Sequence, residues 1–379
     1  MLDVAIVGGG VCGLALASSL QARRVDWALF EGRGRLGGRV LTVTGENGAP
    51  LDLGATWFWP ATQPVITQLV ADLALPTLAQ PDDGQLLVLD DAARPPQARS
   101  FDAATGQAVE GLPPQPGSLH GGARRLAGGM QALVDALAAR LPPGRLHLGQ
   151  RLRRLQDLGD AVALHFDDGT TLQARRVVLA LPPRLALDQI RLTPPLPDAV
   201  QAAMRGTPTW MAHAAKAALP CRSPVWREQG HTGNAWVTHA QAVLAEVFDA
   251  SGAAGAALAG FIALPAAQRA RFERSLPLLL ESQLAMLFGH HLQPLGAHWQ
   301  DWAADELCCS AADREEDGRG GHPGQHAAEV AQLQAPLWAG RLWLGGSETA
   351  RQGTGYLEGA LRAAGRLRAE LDRAMLAHP

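Results

Sequence analysis

A glycine triplet set between an apolar strand and a helix constrains this chain more than any other feature. Val4-Ala5-Ile6-Val7 is a short apolar run, Gly8-Gly9-Gly10-Val11-Cys12-Gly13 follows at once, and Leu14 to Leu20 reads as a helix with Ala and Leu on its buried side. Val25 to Phe30 is a second strand, and it ends at Glu31. Strand, turn, helix and strand within about thirty residues is the size of a βαβ unit. Alone, G-x-G-x-x-G says little in a chain with 42 glycines. Here each part has a task. Gly8 permits the tight turn, Gly10 lets backbone approach a pyrophosphate, and Gly13 lets helix and strand pack closely. The helix start near Val11, with Cys12 in its first turn, offers unpaired N–H groups and a positive dipole end to phosphates. Glu31 is placed to accept hydrogen bonds from a ribose diol. The expected ligand is a dinucleotide.

The residues after Glu31 narrow the choice. Glu31-Gly32-Arg33-Gly34-Arg35-Leu36-Gly37-Gly38-Arg39-Val40 adds a second glycine pair and several arginines just past the ribose-binding acid. A nicotinamide domain has no need of this second cradle, whereas a cofactor with a longer second half does. Leu51-Asp52-Leu53-Gly54-Ala55-Thr56-Trp57 then gives a small-residue turn where backbone can run close to a flat ring. The combination points to FAD.

From these residues on, the sequence resembles the flavin-containing amine oxidoreductases, the family of monoamine and polyamine oxidases, in order over most of the chain. The family pattern of ribose-binding acid, glycine pair and arginine matches Glu31, Gly32, Arg33, Gly38 and Arg39. Its aspartate–leucine–glycine turn under the flavin matches Asp52 to Trp57, including Gly54, Ala55 and Thr56. Gly128-Gly129-Met130 looks like the segment that returns the chain to the FAD domain, and Leu152 falls where the family holds adenine by backbone contacts. Gly345-Gly346-Ser347-Glu348-Thr349 and Gly355-Tyr356-Leu357-Glu358-Gly359-Ala360 resemble the C-terminal flavin motif. There a glutamate binds the ribityl chain and a helix start faces the pyrimidine carbonyl of the ring. The resemblance implies an α/β protein with a Rossmann-like FAD-binding domain drawn from residues 1–59, 121–185 and 335–379. A sheet-based α+β substrate domain would take 60–120 and 186–334.

Only one of the 33 basic residues is a lysine, Lys216, and Tyr356 is the only tyrosine. A lone lysine is ordinarily a solvated surface charge. Lys216, however, lies in the almost wholly apolar run Ala212-His213-Ala214-Ala215-Lys216-Ala217-Ala218-Leu219, where burial is costly without a role. By resemblance, Lys216 would hold a water against flavin N5 and assist reoxidation by O2. Tyr356 would form one wall of an aromatic cage that guides the neutral amine, because ring faces attract partial positive charge without offering a proton acceptor. Trp57, Trp59 and Trp302 are the other aromatic candidates on the substrate side. A hydrophobic or aromatic amine is the expected substrate.

The departures from the family matter too. Counting from Glu306, the positions of the second cage wall and of the cysteine that carries covalent flavin in monoamine oxidases land on Ala312 and Asp313. A non-covalent flavin and a cage with one tyrosine wall are therefore expected. Only a short stretch separates Trp59 from Gly128, which suggests a shallower substrate chamber. Residues 80–120, with Pro95-Pro96 and Pro113-Pro114, read as irregular exposed connection.

Composition removes several classes. A formal net charge of -3 argues against nucleic-acid or anionic-membrane partners. With 47% hydrophobic and 18% charged residues, the chain can bury a sizeable core. Cys12, Cys221, Cys308 and Cys309 show no C-x-x-C spacing, so reduced thiols in a cytoplasmic protein are expected, with neither disulfides nor zinc. The N-terminus runs straight into a strand without a basic leader, and no apolar run reaches membrane-spanning length. His322 and His326 are separated by Pro323 and Gly324, against a metal pair on a helix. Two rivals to an amine oxidase remain open: a flavin dehydrogenase or desaturase acting on a non-amine, and a non-catalytic FAD-binding protein.

Overall fold

A computed structural model describes residues 1–82, 84–102, 107–109, 120–316 and 327–377. The strand Leu2–Val7 runs parallel to Trp27–Glu31 on one side and to Thr171–Leu179 on the other, and the helix Val11–Ala22 joins the first two. Leu146–Leu148 extends this sheet beyond Trp27–Glu31, and Leu342–Leu344 pairs with the end of Thr171–Leu179, both parallel. These strands are short continuous apolar runs because helices cover both faces of the sheet. Leu2–Val7 has a parallel neighbour on each side, so the strand order reverses there and a crevice opens beyond the carboxyl ends.

Thr171–Leu179 serves two partners. Its first half pairs antiparallel with Val162–Phe166, and its last residues pair with Leu342–Leu344. Through it a meander of Leu152–Asp157, Val162–Phe166 and the turn at Gly169 (φ +85°) joins the parallel strands, giving an eight-stranded sheet with Arg191–Thr193 at its edge. On one face, Ile6, Leu14 and Leu29 pack with Leu133, Leu137 and Leu367 of the helices Gln131–Ala138 and Leu357–Ala377. On the other, Val7, Phe30 and Leu164 pack with Met204 of the helix Asp198–Gly206 and with Leu333. The first sheet's layer thus extends past residue 185 and begins again before 335, beyond the segments the sequence assigns to it.

The second sheet also has eight strands, in the order His298–Asp301, Ala215–Cys221, Ala256–Ile262, Leu244–Asp249, His231–Val237, Gln85–Leu89, Gln97–Asp102 and Gln107–Val109. All neighbours are antiparallel except Gln85–Leu89 and His231–Val237, which run parallel. The helix Leu276–Phe288 covers its back through Leu280, Leu284 and Phe288. Residues 80–120 therefore differ from the expected irregular connection. They supply strands, and Leu86 to Leu89 are buried. The flanking Pro, Asp and Gly residues mask a four-residue apolar run, Leu86 to Leu89, that pairs with the distant strand His231–Val237 as well as with Gln97–Asp102. Pro113 and Pro114 lie outside the described residues. No helix among the described residues is long and apolar enough to cross a membrane.

Two glycines separate packing from conformational cost. A Cβ on Gly13 would stand 2.0 Å from the Gly8 carbonyl oxygen, whereas one on Gly365, exposed on the closing helix, would meet nothing within 4 Å. Gly13→Ala should lose about 3 kcal/mol or more through overpacking. Gly365→Ala should gain roughly 1 kcal/mol of helix propensity. Denaturant melts of the two variants check this, and equal midpoints would contradict the close strand–helix contact.

Candidate functional site

One cavity of about 490 Å³ runs between the two sheets, from Gly8, Gly10 and Cys12 to Lys216, Trp57 and Trp59. Every residue singled out in the sequence for cofactor or substrate lines it except Gly13 and Glu348. Gly13 packs behind Gly8, as its spacing implies. Gly10 differs from Gly13, because a Cβ there would meet nothing within 4 Å and would project into the open cradle. Gly37 N donates to Gly9 O at 2.8 Å, which ties the second glycine cradle to the first.

At the Glu31 end, the carboxylate accepts from Gly9 N at 2.7 Å and from Arg33 N at 2.9 Å, one bond to each oxygen. Each oxygen keeps a lone pair, enough for a diol. The Arg33 guanidinium pairs with Asp305 at 2.7 Å, and Gly32 lies against Leu307. Cys12 Sγ accepts from Gly346 N at 3.3 Å, and burial pushes its thiol up to about 11, so it serves as a neutral acceptor under the turn.

In the middle, Arg39 reaches the C-terminal motif. It donates to both Glu348 oxygens at 2.6 and 3.0 Å and to Ser347 Oγ at 3.1 Å. Burial pushes the Glu348 carboxyl up, but the Arg39 charge together with hydrogen bonds from Arg39 and Ser347 outweighs it and holds the group below the usual carboxylate range. Glu348 is 1% exposed, and its carboxylate stands behind Arg39. Asp52 accepts from Thr42 Oγ1 at 2.5 Å and from Met130 N at 2.8 Å, fastening the flat-ring turn to the Gly129 segment. Gly54 is obligatory there, since a Cβ would lie 2.1 Å from Arg39 O.

Lys216 is not a surface residue. It is 2% exposed. Its Nζ donates to Gly54 O at 3.1 Å and to Thr56 Oγ1, and it sits 5.1 Å from the centroids of Trp57 and Phe248 and 5.5 Å from Phe261. Burial lowers its pKa to about 8, with Asp52 and Glu246 pulling the other way. The register explains how the last of these comes near: Lys216 pairs with Phe261, and Phe261 pairs with Glu246, so the three share one face of the second sheet. A bulge between Leu244 and Glu246 produces this. Leu244 and Val247 both pack on the back of the sheet, so the extra residue turns Glu246 to the cavity. Its carboxylate meets His120 Nε2 at 3.0 Å.

Sequence reasoning missed Glu246, His120 and Trp210. The Trp210 ring lies 5.9 Å from Tyr356 and lines the cavity, and its backbone is clamped by Glu348 (3.3 Å to N) and Arg39 (2.9 Å to O). Its place just before the Lys216 run was the available signal. Trp302 lines the cavity but spends its indole N–H on Leu53 O at 3.0 Å, so it braces the turn Leu53 to Trp57. The count from Glu306 does not hold. Ala312 is exposed on the helix Ala311–Glu316, and Asp313 is buried in an ion pair with Arg184 at 3.1 Å. A tight turn, with Cys308 N and Cys309 N both donating to Asp305 O, brings Leu307 and Cys308 to the wall instead. His322 and His326 lie outside the described residues.

A family model described as flavin containing amine oxidoreductase matches residues 11–109 and 117–369. A putrescine oxidase of Kocuria rosea is 26% identical over 97% of this chain and 94% of its own. Amine oxidase [flavin-containing] B of Canis lupus familiaris is 24% identical over 98% and 86%. Among solved structures, a putrescine oxidase bound to putrescine superposes with a TM-score of 0.76 at 21% identity, over 98% of this chain and 99% of the other. A cyclohexylamine oxidase from Brevibacterium oxydans gives 0.75 at 21%, over 99% of each.

The Arg39–Glu348 pair generates a prediction. Arg39→Met strands a buried carboxylate and should cost about 3–5 kcal/mol, whereas Arg39→Met with Glu348→Met should recover most of that. Neither variant should retain flavin through a desalting column. A single variant as stable as the parent would mean that the pair is solvated.

Proposed function

The chain belongs to the flavin-containing amine oxidoreductases, and from that premise we propose that it is an FAD-dependent amine oxidase that uses O2 as the final acceptor. The observation that carries this reading is the single cavity joining a ribose-type acid, Glu31, to a buried lysine, Lys216. FAD, when bound, supplies the two-electron acceptor for a hydride from the carbon beside the amine nitrogen, so that amine and O2 become imine and hydrogen peroxide. The residues present fit such a group: an open cradle at Gly10, spare lone pairs on Glu31, and Arg39 and Ser347 midway. In this reading, residues 1–59, 121–185 and 335–379 do most of the FAD binding, with Leu152 at the adenine and Gly355 to Leu357 at the ring. Buried Cys308, its thiol pushed up to about 12 by burial, supports a non-covalent cofactor, and the free cysteines suit a reducing cytoplasm.

Lys216 has three protons, and two are engaged by Gly54 O and Thr56 Oγ1. The third is left for a water or ligand atom on the cavity side. Trp57, Trp59, Phe261, Trp210 and Tyr356 give the chamber aromatic walls and exclude water from an amine that must react as the neutral base. The expectation of a plain hydrophobic amine needs one addition. Glu246 sets a carboxylate in the substrate half, separated from Lys216 by Phe261, so a chain with a second, cationic nitrogen is the better complement.

Heat denaturation should release FAD into the supernatant. Yellow colour retained by the precipitated chain would mean that Cys308 or Cys309 is bonded to the flavin.

Lys216→Met should keep FAD but slow the return of flavin colour with O2 by about a hundredfold, the scale of losing one preorganised charge. Lys216 is cationic below about 8 and neutral above it. In the parent, that O2-dependent phase should therefore slow as pH rises through about 8, while reduction by amine speeds up. Stopped-flow traces that are identical for the variant and the parent would remove Lys216 from the reaction.

A further inference from the structure

We propose that His120 is a positioning residue for amine selection: it orients the Glu246 carboxylate as one wall of the chamber. The proposal rests on the reading of that chamber as an amine site. His120 is 5% exposed and packs between two rings, 4.4 Å from Trp57 and 5.7 Å from Phe248. Both rings also flank Lys216. Trp57 stands at the end of the flat-ring turn, so the histidine is fixed by the same aromatic packing that shapes the chamber.

The hydrogen-bond geometry assigns the proton. Nε2 faces Glu246 Oε1 at 3.0 Å, while Nδ1 is buried with no partner among the described residues. A proton on Nε2 has an acceptor, whereas one on Nδ1 would be a stranded buried donor. The ring is therefore assigned as the Nε2–H tautomer, donating to the carboxylate. The other Glu246 oxygen has no protein partner among the described residues, although the residue lines the cavity. One oxygen is held from behind and the other is left to a ligand. The bulge between Leu244 and Glu246 is what aims the carboxylate, and His120 keeps it from rotating back to find another donor.

The arrangement separates two nitrogens by environment. Lys216, cationic over part of the pH range, disfavours an ammonium at its end of the row, while Glu246 favours one at the other end. A diamine entering this chamber binds with its charged nitrogen at Glu246 and its neutral nitrogen toward Lys216. A monoamine gains nothing from the carboxylate.

The test compares putrescine with butylamine in steady-state kinetics of the holoenzyme. His120→Phe keeps a ring against Trp57 but removes the donor, and it should raise KM for putrescine roughly 10- to 100-fold, the worth of a hydrogen bond to a charged group. KM for butylamine and kcat for both should stay within about threefold, below the scale of one such bond. His120→Gln, which restores a donor, should recover much of the loss. Glu246→Gln is the control for the chamber itself and should abolish the preference for putrescine. If Glu246→Gln does so and His120→Phe does not, the role of His120 is overturned and the chamber reading stands. If Glu246→Gln changes nothing, both fall. Independently of any variant's folding, nitrogen-15 spectra of the parent should show His120 as the Nε2–H tautomer. An Nδ1–H or doubly protonated ring overturns the assignment.

Discussion

The buried contact between Arg39 and Glu348 joins residues 309 positions apart, and much of the site hangs from it. Arg39 ends the second glycine cradle, Glu348 sits in the turn before the closing helix, and Trp210 from the substrate side is clamped by both. Removing one partner would leave a charge in a dry interior, a penalty of about 3–5 kcal/mol, so neither end can drift without the other. The carboxylate fixes the guanidinium, the Ser347 hydroxyl and one aromatic wall at once. A single ion pair therefore sets the relative placement of the two halves of the cavity.

The second sheet solves a different problem. Burying Lys216 costs several kcal/mol unless its proton donors are used. Gly54 O, Thr56 Oγ1 and three ring faces supply the compensation. That compensation is incomplete, as the downward shift to about 8 records. On the proposed reading, an amine reacting as a free base would benefit from this poise, since a permanent cation beside it would repel any ammonium still waiting to lose its proton. Glu246, one residue across Phe261 in the same row, restores a place for positive charge farther along. The row thus carries an electrostatic gradient along one face of one sheet.

What was legible in the sequence was what backbone geometry forces to be explicit. Gly8, Gly13 and Gly54 are glycines because a Cβ at each would strike a carbonyl oxygen within 2.5 Å, so they show in any reading of the chain. Lys216 was visible because a lone lysine among alanines has no cheap explanation. Glu246 and His120 were not, since their contact spans 126 residues and depends on a bulge that shifts a strand's phase by one. Alternation alone would have put Glu246 on the back of the sheet with Leu244. Ala312 was misplaced because counting assumes a uniform path, and the turn closed by Asp305 shortens it. The strand Gln85–Leu89 was hidden by its polar flanks, which outweighed five apolar-rich residues whose partner lies far along the chain.

One short segment, Asp301 to Cys308, lines the cavity at both ends and is anchored by different contacts at each. At the ring end, Asp301 takes the Arg269 guanidinium through both oxygens at 2.7 and 2.8 Å, and buried Trp302 donates to Leu53 O. At the Glu31 end, the same segment relies on Arg33–Asp305 and on Arg151–Glu306, whose glutamate side chain is 68% exposed. An exposed pair of that kind contributes at most about 1 kcal/mol and is weakened by salt. Neither Arg33–Asp305 nor Arg269–Asp301 is exposed to that degree. In the proposed amine oxidation, hydride transfer would need closely held reacting atoms, whereas the nucleotide half of a cofactor would contribute affinity and tolerate looser placement. On that proposal, the exposed Arg151–Glu306 pair stands at the end where looser placement would cost least.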